Sequence, residues 1–146
     1  MEALPHHYQA SASATAEGNV ALDSPGVPGL VSAPPAEFGG PGDQWSPETL
    51  LMAAVADCFI LTFRAVAAAS RLEWQDLQCS AHGTLDRVER TTSFTEVTVK
   101  AELTIPAGGD EAKAQRLLEK AEHACLITNS MNGETHLEAT VKSTAG

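Results

Sequence analysis

Between Leu50 and Phe63 the chain is apolar on every side of a helix apart from Asp57 and Thr62, and no other stretch constrains the fold as much. A surface helix keeps a polar stripe for water. This one has none, so it must be covered all round. Its start is well marked. Ser46-Pro47-Glu48 supplies an N-cap residue, a proline for the first helical position and an acid in the first turn, which predicts a helix over about 46–70. With 146 residues, the chain has the size of one domain and is expected to form a single one over 1–146. So small a domain can scarcely cover both faces of the helix, and a second subunit is expected to complete the cover.

The remaining pattern is strand-rich. From Tyr8 to Ala16, alanines alternate with small polar residues, which predicts a half-buried strand. Glu17-Gly18-Asn19 then tolerates a turn before Val20-Ala21-Leu22 returns. N-terminal strands are therefore expected within about 8–32. A Pro/Gly-rich loop spans about 24–46, with a short extended stretch at Leu30-Val31. Strict alternation at Leu77, Cys79, Ala81 and Leu85, and again from Val97 to Ile105, predicts a long hairpin over about 76–105. Parity breaks at Val88 and Phe94, around the polar Glu89 to Ser93 turn, call for a bulge near its tip. Asp110 caps a second helix over about 110–125, whose apolar stripe of Ala114, Leu117, Leu118 and Ala121 ends in Cys125. A final strand follows over about 135–142. The element order β-β-(β)-α-β-β-α-β is an α+β arrangement.

Composition narrows the function. Nine Lys and Arg against nineteen Asp and Glu give a formal net charge of −10, so phosphate backbones and anionic lipid surfaces are poor partners. The longest uninterrupted apolar run is only Leu50 to Ala56, and Met1 to His7 have no basic or apolar leader character, so neither a membrane span nor a secretion signal is expected. Three well-separated cysteines, Cys58, Cys79 and Cys125, do not form a disulfide framework and point to the reducing cytoplasm. No His, Cys or carboxylate group has metal-ligand spacing, and Gly39-Gly40-Pro41-Gly42 lacks the lysine of a phosphate loop, so neither a metal nor an organic cofactor is expected. By spacing alone, Cys58 and Cys125 read as two small core residues, and whether they meet stays open. Cys79, on the apolar face of a strand, reads as core. His123, two residues before Cys125, does not face it on a helix.

Two motifs change that balance. Pro35-Ala36-Glu37-Phe38-Gly39-Gly40, followed by Trp45-Ser46-Pro47-Glu48-Thr49-Leu50-Leu51-Met52-Ala53-Ala54-Val55-Ala56-Asp57-Cys58-Phe59, resembles the signature of the OsmC/Ohr family. Ala121-Glu122-His123-Ala124-Cys125-Leu126-Ile127-Thr128-Asn129-Ser130 resembles the family's second cysteine motif. The resemblance covers about Tyr8 to Val141. It implies an OsmC-like fold, with an antiparallel sheet, a long buried helix and a second helix in an intertwined homodimer. It also implies reduction of organic hydroperoxides, with Cys58 as the peroxidatic thiol, Cys125 as the resolving thiol and Glu48 as the acid that orients an arginine beside the thiolate. A lipoylated or small dithiol would be the reductant. Ten helical positions separate Glu48 from Cys58 by about 15 Å along the axis, so Glu48 would act from a partner chain or through a third residue. Without such a role, it is an acid stabilising a helix N-terminus.

The chain also departs from that pattern. Residues 1 to 63 contain no Arg or Lys, although the family places an arginine in this region, and Leu126 stands where a proline usually follows the second cysteine. Asp57, beside Cys58, is expected to raise the thiol's pKa. Arg64 points about 120° away on the same helix, so an activating cation would come from Arg71, Arg87, Arg90 or Arg116 through tertiary or dimer contacts. The alternative reading is therefore an OsmC-like binding or stress protein that has lost peroxidase efficiency with the arginine. A hotdog-type thioesterase shares a long helix against a sheet, but no positioned acid or amide pair requires it.

Overall fold

In the computed structural model, residues 2–144 are described, and the chain divides into two compact units, Met1–Leu50 and Leu51–Gly146. The first holds a three-stranded antiparallel sheet of β1 (Ser11–Ser13), β2 (Val20–Asp23) and β3 (Leu30–Ser32), with Ala12 opposite Leu22 and Leu22 opposite Leu30. β1 is shorter than the alternation predicts, and its three residues are exposed rather than half-buried. Alanine alternating with serine offers too little apolar area to hold a longer strand against anything. Gly18, with φ of 94°, makes the predicted turn.

The proline-rich stretch is built rather than loose. A 3₁₀ turn at Ala36–Phe38 ends on Gly39 in the left-handed region. The N–H of Ala33 donates to the Trp45 carbonyl at 2.8 Å, and Ser32, Ala33 and Ser46 are buried. Ser46 and Thr49 cap the long helix α1 (Pro47–Ala69) reciprocally. The Thr49 N–H donates to Ser46 Oγ at 3.1 Å, and the Ser46 N–H donates to Thr49 Oγ1 at 2.9 Å.

The second unit is a three-stranded sheet in the order β4 (Asp76–Val88), β5 (Thr91–Ile105), β6 (Glu134–Ser143). β4 and β5 pair antiparallel across a tight turn in which Glu89 and Arg90 both have positive φ. Thr91 to Ser93, expected in the turn, instead pair with Asp86 to Val88. The bulge lies at Thr84/Leu85, where Leu85 meets Phe94, so the parity break at Phe94 marks it. β6 runs parallel to β5, which makes the sheet mixed, because the crossover through α2 (Glu111–Ala124) brings the chain back to the same end. Gly133 opens that strand where a Cβ would stand 2.5 Å from the Phe94 carbonyl oxygen, a contact only glycine permits. Asp110 caps α2 as expected, its side chain accepting from the Lys113 N–H at 2.9 Å.

Val55, Phe59, Phe63 and Ala67 of α1 recur every four residues. They pack with Leu77, Val97, Val99, Leu103 and Ile105 of the sheet and with Ala114, Leu117, Leu118 and Ala121 of α2. Phe63 meets Trp74 edge-to-face at 5.4 Å. Burial all round does not hold within one chain. Asp57, Leu61 and Arg64 are exposed, because the sheet and α2 cover a single face of the helix. By length and a mean hydropathy of 1.9, α1 could cross a bilayer, which the short uninterrupted run did not foretell, yet its apolar stripe lies against the sheet.

Candidate functional site

The packing that fixes α1 also fixes Cys58. Phe59, the next residue, is fully buried, so the helix cannot roll, and Cys58 is left half-buried at the edge of the covered face. One turn along, Thr62 places its Oγ1 3.8 Å from the Cys58 Sγ. From the other side comes the end of α2. Its apolar stripe carries Cys125 into the core, where it is 1% exposed, and there the helix stops.

Cys125 ends α2 and also caps α3 (Leu126–Asn129), a single turn the sequence did not predict. Its extended ψ of 115° redirects the chain, and its side chain makes no cap hydrogen bond. The first N–H groups of α3 are left without carbonyl partners and lie at Cys58. Burial, the strongest influence, pushes the Cys58 thiol up. The N–H of Ile127, the Cys125 side chain, Thr62 and the N–H of Leu126 outweigh it, and together they hold the thiol below its ordinary value.

The structure thus brings the Cys58 and Cys125 side chains close enough to influence one another, which spacing alone left open. Among the described residues no arginine or lysine acts on the thiol, so Arg71, Arg87, Arg90 and Arg116 do not supply the expected cation from within one chain. Nor does Asp57, exposed on the helix, act on the thiol as expected. The groups that sequence reasoning missed are Thr62 and the two N–H donors. Leu126 in place of proline was the available signal, since proline carries no N–H. Leu61, three residues along α1 from Cys58, and Leu126, the residue after Cys125, are 52% and 72% exposed.

Cys79 stands in contrast. On the inward face of β4, opposite Ala101, its thiol is pushed up to about 11 by burial and by the nearby Cys125. All three cysteines are free thiols. His123 is exposed and offers only its carbonyl, to the Asn129 amide at 3.2 Å.

Glu48 belongs to the first unit. It lines an apolar cleft of about 530 Å³ with Ala12, Val20, Leu22, Phe38 and Leu50, and its Oε1 is buried without a hydrogen-bond partner among the described residues. No arginine meets it there.

The site therefore sets a half-buried thiol beside a second thiol on an α+β scaffold. Residues 40–140 match the family model described as "OsmC-like protein", and the chain belongs to this family. It is 32% identical over 113 residues to the uncharacterized protein YmaD of Bacillus subtilis, covering 74% of this chain and 75% of that one. It is 29% identical over 136 residues to the organic hydroperoxide resistance protein of Xanthomonas axonopodis pv. citri, covering 92% and 94%. Among solved structures, an OsmC-like protein of unknown function from Vibrio cholerae superposes with a TM-score of 0.83 at 18% identity, over 93% of this chain and all of that one, which speaks for the fold.

Proposed function

We propose that the protein reduces organic hydroperoxides with Cys58 and Cys125. The observation that carries this reading is the Cys58 thiol, held below its ordinary value beside a second thiol. The Cys58 thiolate attacks one peroxide oxygen and the O–O bond breaks. The alkoxide leaves, takes a proton from water and becomes the alcohol, while Cys58 becomes a sulfenic acid. The Cys125 thiol then displaces hydroxide from that sulfur, so a Cys58–Cys125 disulfide and one water form. An external dithiol, lipoylated or small, reopens the disulfide and is itself oxidised. The exposed Leu61 and Leu126, close in the chain to Cys58 and Cys125, suit a substrate with an organic rather than a bare peroxide body. Glu48 is retained as an orienting acid. α1, apolar beyond its one covered face, supports an intertwined homodimer, and three free cysteines support a cytoplasmic location.

The absence of any cation at Cys58 among the described residues favours a second reading, an OsmC-like stress or binding protein with weak peroxidase activity. Stoichiometric cumene hydroperoxide separates the two. Rapid consumption with a Cys58–Cys125 disulfide, lost in Cys58→Ser and in Cys125→Ser, with sulfenic acid trapped only in the latter, supports the peroxidase. Unchanged consumption in Cys58→Ser rules it out.

A further inference from the structure

Cys79 is a nucleophile that the proposed chemistry leaves unused, and its place in the core carries an inference that rests on that chemistry. On the inward face of the sheet, Cys79 stands opposite Ala101 and Ala101 opposite Ala139, so one row across all three strands carries only small side chains. The row of Leu77, Leu103 and Val141 is bulkier. The sheet is therefore low at Cys79, and Cys125 is its thiol neighbour there. Cys125 is buried at the break between α2 and α3, and its side chain makes no cap hydrogen bond to hold the sulfur. Cys58, Cys125 and Cys79 thus form a series with Cys125 in the middle.

We propose that Cys79 is a third redox thiol, which attacks the Cys125 sulfur of the Cys58–Cys125 disulfide, moves the bond to Cys79–Cys125 and returns Cys58 as a free thiolate. The Cys58–Cys125 bond breaks as the Cys79–Cys125 bond forms, the Cys79 proton passes to water, and no electrons enter or leave the protein. The direction follows from the two outer thiols. Thr62 and the N–H groups of Leu126 and Ile127 stabilise Cys58 as a thiolate, which makes it the better leaving group. Burial disfavours a Cys79 thiolate, yet it sets no such penalty on a sulfur that is bonded and uncharged. Because the attack is intramolecular, a small thiolate fraction suffices. Cys58 is then ready for a second hydroperoxide before any external dithiol acts.

Disulfide mapping in the intact protein tests this, since trypsin leaves each cysteine on its own peptide. Reduced protein receives one equivalent of cumene hydroperoxide or, separately, of diamide, which oxidises thiols without peroxide, and samples are quenched with acid over time. We expect Cys58–Cys125 early and Cys79–Cys125 late, with Cys58 again open to alkylation. Given two equivalents of hydroperoxide and no reductant, each chain should consume about twice as much as Cys79→Ala, which stops at the first disulfide. A Cys58–Cys125 bond that persists under both oxidants would overturn the relay while leaving the peroxidase reading intact. If hydroperoxide forms no disulfide, the peroxidase reading fails and the diamide arm alone decides the relay. There, Cys58–Cys125 giving way to Cys79–Cys125 supports it, and any other product, or none, overturns it.

Discussion

Cys58 and Cys79 sit in the same unit, both half-buried and both close to Cys125, yet their thiols move in opposite directions. Burial pushes on both. At Cys79 it acts unopposed, since no hydrogen bond to the sulfur counters it, and the neighbouring Cys125 adds to it. At Cys58 the neighbouring backbone is the start of a helix, where N–H groups have no carbonyl to meet and so turn to the sulfur. The contrast between the two thiols therefore lies in which donors reach the sulfur, rather than in burial, which pushes both up, or in a charged side chain.

The most severe way to break the contrast is to loosen the helix that carries Cys58. Phe59→Ala removes a fully buried ring at the centre of the core and should cost about 3–5 kcal/mol, read as a lowered urea midpoint. Whatever folded protein remains should show slower Cys58 alkylation, since the sulfur is no longer held on its donors. A gentler break targets a single donor. Leu126→Pro deletes one N–H at the first position of α3, where proline's φ is already suited and the preceding Cys125 is extended. Because the Leu126 side chain is largely exposed, stability should change little, while alkylation of Cys58 at neutral pH should slow by a few-fold up to about tenfold, the worth of one hydrogen bond. An unchanged rate would remove the N–H from the explanation.

These donors show where sequence reading stops. The alternation in β4 and β5, the Ser46 and Asp110 caps and the four-residue stripe of α2 were legible because period and capping are local. β6 running parallel to β5, and the short exposed β1, were not, since strand direction and strand length depend on partners far along the chain. The family motifs singled out Cys58 and Cys125, but not their meeting. The stretch that predicted a helix buried all round describes a helix covered on one face, because apolar composition states what a surface needs and not which chain supplies it. Least legible of all was the pair of N–H donors, which belong to the backbone and exist only because α2 breaks at Cys125 and restarts as α3.

A smaller effect sharpens the Cys79 side. Its thiol titrates near 11 in the folded protein and lower when unfolded, so the unfolded chain gives up that proton first as pH rises. Folding stability should therefore carry no contribution from Cys79 below the ordinary thiol range and should decline from there towards pH about 11. Cys79→Ala, compared with the parent by urea unfolding across that window, should show a shallower decline. Parallel curves would mean that Cys79 is not held high. Smaller still is Thr62→Val, which removes one weak contact to the Cys58 sulfur and should slow its alkylation by about twofold.

The claim that backbone donors, and no cation, activate Cys58 is tested most directly by the pH profile of iodoacetamide labelling, read separately at Cys58 and Cys79 by peptide mass spectrometry at low and high salt. We expect a Cys58 midpoint below that of an ordinary thiol and insensitive to salt, with Cys79 unlabelled until strongly alkaline pH. A Cys58 midpoint at or above the ordinary value, or one that rises steeply with salt as a paired cation is screened, would contradict it.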